Sequence, residues 1–158
     1  MQPRVTAVLK TLIAVLILLL LVAQTAMIPG VAAVTAQQNP DLAYLRIPGI
    51  IGGVLFLALV QIVLLCIWKL LSLVRGDQIF SARAFRYVDI IIGSMVAAAV
   101  LLGGSLAVIY AARAVNPGIL LLGVLGMVVG IALALLVVVL RGLLRKALQL
   151  EQDMSEVV

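Results

Sequence analysis

A chain of 158 residues that is 66% hydrophobic and 11% charged, with a mean hydropathy of +1.36, has too few polar side chains to coat a water-soluble core; soluble domains hold about 25% charged residues. With no histidine, one cysteine (Cys66, inside an apolar run) and six scattered acidic residues, it offers no metal cluster, no internal disulfide, no Ser/His/Asp set and no phosphate loop, so no catalytic, cofactor-binding or metal-ligating residue is expected and the chain reads as a non-enzyme. The net charge of +5 does not point to nucleic acid, because the basic residues fall at the ends of apolar runs, where membrane orientation accounts for them.

The expected fold is all-α: an integral membrane four-helix bundle in a single membrane domain, with the lipid bilayer as its solvent. A spanning helix needs about 20 mostly apolar residues. Residues 11–28 form the first span, with a stop expected at Pro29-Gly30, where one donor is missing and the backbone is flexible. A cleaved signal peptide is the alternative for this segment, but its apolar run exceeds the roughly 7–15 residues of a signal core, which favours an uncleaved span. Residues 49–68 form the second span, opened by Pro48 in a first-turn position where a proline is tolerated. The third and fourth, residues 90–112 and 118–140, are separated by Asn116-Pro117-Gly118 and read as a tight antiparallel hairpin. Residues 141–158 continue as a helical tail, free of proline and interrupted only by Gly142.

Arg4, Lys10, Lys69, Arg75, Arg83, Arg86, Arg141, Arg145 and Lys146 fall on one side of this layout, and only Arg46 and Arg113 on the other. Lysine and arginine near span ends are retained in the cytoplasm, so both termini and the middle loop are expected inside the cell inner (plasma) membrane. Trp68 and Tyr87 at the inner interface, with Tyr44 and Tyr110 near the outer one, fit the same layout.

Helices in lipid approach through small residues and a few polar contacts. Gly126, Gly130 and Ala134 recur at four-residue intervals in the fourth span; Gly49 and Gly53 open the second, and Gly93 lies in the third. These strips read as packing within the bundle, with homodimerisation as the sharper alternative. The polar side chains at membrane depth are Gln24, Gln61, Ser94 and Ser105, with Thr25 beside Gln24, and no span carries a charge in its core, which disfavours a proton relay or ion-coupled transporter. Gln61 is expected to hydrogen-bond a neighbouring helix rather than a ligand.

In the middle loop Ser81 is placed to cap the third helix, with Phe80 and Phe85 spaced as a hydrophobic staple. Asp89, at the hydrocarbon edge, reads as an interfacial anchor, with pairing to Arg86 or Lys69, both within reach, as the alternative. In the tail Leu143, Ala147, Leu150, Met154 and Val157 form an apolar seam, expected to dock on the inner end of the second span near Leu70 and Leu73, or else on another protein. Arg83, Arg86 and Tyr87, together with Arg145, Leu150, Glu151 and Met154, make the candidate partner surface, whose mixed charge suits protein more than lipid.

The stretch Gly76-Asp77-Gln78-Ile79-Phe80-Ser81, with Arg83 and Val88-Asp89 leading into the third span, and the ending from Ala147 to Val158 resemble the bacterial membrane family called domain of unknown function 2975, which includes the YoaS-like proteins. Here the tail has Asp153-Met154-Ser155-Glu156 where many relatives have an Asp-Leu-Thr ending. The resemblance implies a four-span inner-membrane protein with a longer outer loop, and a small helix-turn-helix regulator as its neighbour; it brings no catalytic or ligand residues. The leading expectation is therefore a regulatory or interaction protein whose cytoplasmic face binds a soluble partner such as that regulator. A small-molecule or peptide-responsive tolerance protein, and a small subunit of a transporter complex, are the alternatives.

Overall fold

The computed structural model describes residues 3–76, 81–114 and 116–157, which are almost wholly helical. Helix α1 (Pro3–Val22) passes through one wide π-helical turn, Ala23–Met27, straight into α2 (Ile28–Gln38). The helix therefore does not stop at Pro29-Gly30, and the segment expected to be an outer loop is helical. A proline inside a helix lacks its N–H, and its ring collides with the carbonyl four residues back, here that of Thr25. The π turn relieves this collision by inserting one extra residue just ahead of Pro29. Its last bond runs from the Ile28 N–H to the Ala23 carbonyl, five residues back, and the Thr25 hydroxyl donates to the carbonyls of Leu21 and Val22 at 3.0 and 3.3 Å.

The helix ends at Asn39, which is extended (φ −131°) ahead of Pro40, as the residue before a proline tends to be. Its N–H donates to the Thr35 carbonyl at 2.9 Å. A 3₁₀ segment, Pro40–Leu45, then turns the chain into α3 (Arg46–Arg75), with Pro48 in its first turn.

Helix α4 (Ala82–Ala111) and helix α5 (Pro117–Val157) are joined by a turn whose two halves follow from their residues. At the end of α4 the N–H groups of Arg113 and Ala114 donate back to Tyr110 and Ile109, the pair of bonds that closes a helix when the next residue is left-handed. That left-handed residue is Arg113, at φ 54°, where a glycine is the usual occupant. At the start of α5, Asn116 accepts the Gly118 N–H on its side-chain oxygen at 2.9 Å, and Pro117 takes the first helical position. The hairpin expected from Asn116-Pro117-Gly118 is present.

Four helices, Pro3–Gln38, Pro40–Arg75, Ala82–Ala111 and Pro117–Glu156, are long and apolar enough to cross a membrane. They stand in a row, forming an open bundle. Helices α1 and α2 pack on α3, α3 packs on α4, and α4 on α5; among the described residues α5 has no other helical neighbour. Buried side chains are few, Ile13, Cys66, Leu71 and Ile91 among them, while most large apolar side chains of α5 are exposed. A hydrocarbon solvent makes that arrangement tolerable, since lipid tails are as apolar as leucine.

Close approach occurs at fewer small residues than the spacing implies. A Cβ on Gly53 would lie 3.3 Å from Ile28 of α2, and one on Gly123 only 2.5 Å from Leu106 of α4. Gly126 is in ordinary contact with Leu102. A Cβ on Gly49, Gly93 or Gly130 would meet no atom within 4 Å, so the strip Gly126–Gly130–Ala134 is in contact at one end only; Gly130 and Ala134 instead line an apolar crevice of about 240 Å³ between α4 and α5. Between Gly126 and the Asp89–Arg141 pair this crevice interrupts the α4–α5 contact, so an even sequence repeat does not give an even contact.

Candidate functional site

Candidate sites lie at three levels of the structure, two marked by polar contacts and one by a cleft. At mid-depth, Gln24 sits in the π turn, and its amide nitrogen donates to the Val54 carbonyl of α3 at 3.2 Å. The Gln61 amide donates in turn to the Gln24 side-chain oxygen at 3.1 Å. Sequence reasoning placed both residues at membrane depth but could not pair them. Their meeting depends on the π turn, which sets the direction of Gln24 and has no sequence signature beyond the proline that follows it. Ser105 donates to the Leu101 carbonyl of its own helix at 2.8 Å, and Ser94 is buried on α4.

The second level is the end of the row that carries most of the basic residues. Asp89 pairs with Arg141 of α5 at 2.6 Å, not with Arg86 or Lys69. The Arg141 guanidinium also lies 5.7 Å from the Phe85 ring centroid, so one side chain ties α4 to α5 by charge and by ring. Both partners are partly exposed, which limits the pair to less than about 1 kcal/mol. Across the row, Lys10 donates to Ser72 at 2.9 Å and stands 5.6 Å from the Trp68 ring centroid, tying α1 to α3. Neither tie was legible in sequence, because each joins residues more than fifty positions apart. Ser81 occupies the cap position of α4, yet its hydroxyl makes no cap bond; its carbonyl instead accepts the Ala84 N–H at 3.1 Å. Phe80, the other half of the expected staple, and residues Asp77 to Ile79 of the motif lie outside the described residues.

Arg83 and Arg86 are exposed and Tyr87 is half-buried. The tail of α5 extends the same end. Leu143, Leu150 and Met154 are 57%, 64% and 73% exposed, and Ala147, Arg145 and Glu151 are exposed with them. The seam therefore does not dock on α3 near Leu70 and Leu73. The reason is geometric: α5 is one unbroken helix of 41 residues, about 60 Å long at 1.5 Å per residue, so its last turns project beyond its neighbours instead of folding back.

The third level is a cleft at the opposite, hairpin end. It has a volume of about 560 Å³ and runs between α2, the 3₁₀ segment, the start of α3 and the α4–α5 turn, from Ala23 and Met27 at its deep end to Thr35 and Arg46. Val31, Ala32, Leu45 and Ile109 form its apolar walls. It was not anticipated, because one of its walls, from Val31 to Arg46, had been assigned to a loop.

No curated protein and no solved structure matches the chain. A family model does: residues 30–158, from α2 through the 3₁₀ segment, α3, the hairpin and the tail, match that of the proteins of unknown function DUF2975. The chain belongs to that family.

Proposed function

We propose that this protein is a regulatory or interaction protein of the bacterial plasma membrane, with both termini in the cytoplasm, whose tail helix holds a soluble protein at the membrane. The observation that carries the reading is the end of α5, a helix prolonged past its helical neighbours with an apolar seam at Leu143, Leu150 and Met154 that the described residues leave exposed. An exposed seam of Leu143, Leu150 and Met154 costs free energy in water, and protein partners are the usual cover for such a patch. Arg145 and Lys146 on one side of it, and Glu151, Asp153 and Glu156 further along, add charge of both signs, which gives an interface its register and selectivity. A helix-turn-helix regulator is the partner that fits the family resemblance.

The inward orientation rests on the nine basic residues at the end shared by the termini and the middle loop, against Arg46 and Arg113 at the other. Reporter fusions after Gln38 and Gly76 check it: an exported reporter at Gln38 and a cytoplasmic one at Gly76 are expected, and the reverse pattern overturns the reading.

For the partner, removal of residues 147–158, or the pair Leu150→Glu and Met154→Glu, is expected to release a co-expressed helix-turn-helix regulator from the membrane fraction while the chain itself stays inserted. If the regulator remains in the membrane fraction with the truncated chain and also with the Arg83→Glu/Arg86→Glu variant, the tail and the α4 start do not hold it.

A further inference from the structure

We propose that the hairpin-end cleft is a lipid site, which seats one acyl chain of an anionic phospholipid with the phosphate on Arg46. Four observations converge on this occupant. The cleft follows the π turn and α2 lengthwise from Ala23 to Thr35. The twelve steps between them rise roughly 18 Å, close to one hydrocarbon leaflet, which is half of a core about 30 Å thick. The wall along this helix is thus long enough to lie beside an extended acyl chain.

The lining is equally selective. Apart from Thr35 and Arg46, every residue that walls the cleft is apolar, and both of these lie toward the hairpin end. The deep end stops at the π turn, beside the satisfied Gln24–Gln61 pair, so no free polar group there calls for a polar ligand. A volume of about 560 Å³ falls within the roughly 300–1,000 Å³ typical of ligand sites.

The charge then decides the headgroup. Arg46 is exposed and forms no ion pair among the described residues, although Asp41 lies five positions before it. It stands at the N-terminus of α3, whose dipole adds positive potential at the same place. A guanidinium binds phosphate through two parallel N–H bonds. Arg113, directly before the lining residue Ala114, supplies the other cation at this end.

The full chain, purified in mild detergent and stripped of lipid, is titrated with dioleoyl phosphatidylglycerol or with dioleoyl phosphatidylcholine and read by native mass spectrometry. One tightly retained phosphatidylglycerol per chain is expected, with phosphatidylcholine held more weakly. Arg46→Gln is expected to weaken phosphatidylglycerol by about tenfold, the loss of one charge-assisted contact, and to level the two lipids. Gly49→Leu, which places a side chain into the cleft where a Cβ meets nothing within 4 Å, is expected to remove retention of both. Arg4→Gln, at the other end, should change nothing. Equal retention of the two lipids by the native chain overturns the proposal. So does phosphatidylglycerol binding that survives both Arg46→Gln and Gly49→Leu, because the lipid is then an annular one lying elsewhere on the surface.

Discussion

Replacing Gly123 by leucine is expected to lower the melting temperature of the purified chain in detergent more than any other single change at the small-residue positions. A Cβ at this site would stand 2.5 and 2.7 Å from the two terminal carbons of Leu106. Leu106 can swing aside for a methyl group, so Gly123→Ala should cost little. A leucine at 123 needs the space that the Leu106 side chain and the α4 surface already fill, and overpacking of this kind costs about 1–3 kcal/mol. Gly130→Leu is the control, because no atom lies within 4 Å of a Cβ there. A thermal unfolding series on the three variants separates the cases. Gly130→Leu melting below Gly123→Leu would mean that the α4–α5 contact is not where the structure places it.

Gln61→Leu is expected to destabilise by about 1 kcal/mol, since polar contacts between helices in lipid average about 0.6 kcal/mol with a ceiling near 1.7. The loss comes from stranding the Gln24 oxygen, which accepts the Gln61 amide at 3.1 Å and has no water at that depth to replace it. Gln24→Leu should cost more than Gln61→Leu, because Gln24 holds both bonds of the network, to Gln61 and to the Val54 carbonyl. The double Gln24→Leu/Gln61→Leu chain should recover most of the loss, as both orphaned groups are then gone. Unfolding of the three variants in one detergent gives the coupling energy directly, and a double variant as unstable as the sum of the singles would show that the two amides do not act together.

Apolar run length is a strong signal and located the four membrane-length helices, while Asn116-Pro117-Gly118 marked the α4–α5 turn and the lack of proline after Arg141 the continuation of α5 into the tail. What it missed has a common cause. Pro29 and Gly30 disfavour helix locally, yet one π turn ahead of them costs little when the next two turns are also apolar and rest on α3 at Gly53. Once that helix continues, residues assigned to a loop become one wall of the cleft, so the error about Pro29 and the missed cleft are a single event. Asp89 shows the other limit. Its neighbours in sequence and on the adjacent span both offered a cation, and only the register of α5 against α4 selects Arg141. The candidate surface was legible as residue types, in the mixed charges and the seam of the tail; whether the seam folded back was not, because that depends on α5 staying straight through Gly142.

The open row also bears on how the chain can assemble. Among the described residues every helix–helix contact joins elements that are consecutive spans, and the first helix does not touch the last. Low contact order of this kind keeps the entropic cost of loop closure small at each step. By the time α4 has left the ribosome and entered the bilayer, the helices that α1 and α3 contact within this chain are already present, and α5 adds itself to an edge that is already built. Synthesis and folding can therefore run at the same pace, with no half-formed bundle waiting for its closing member.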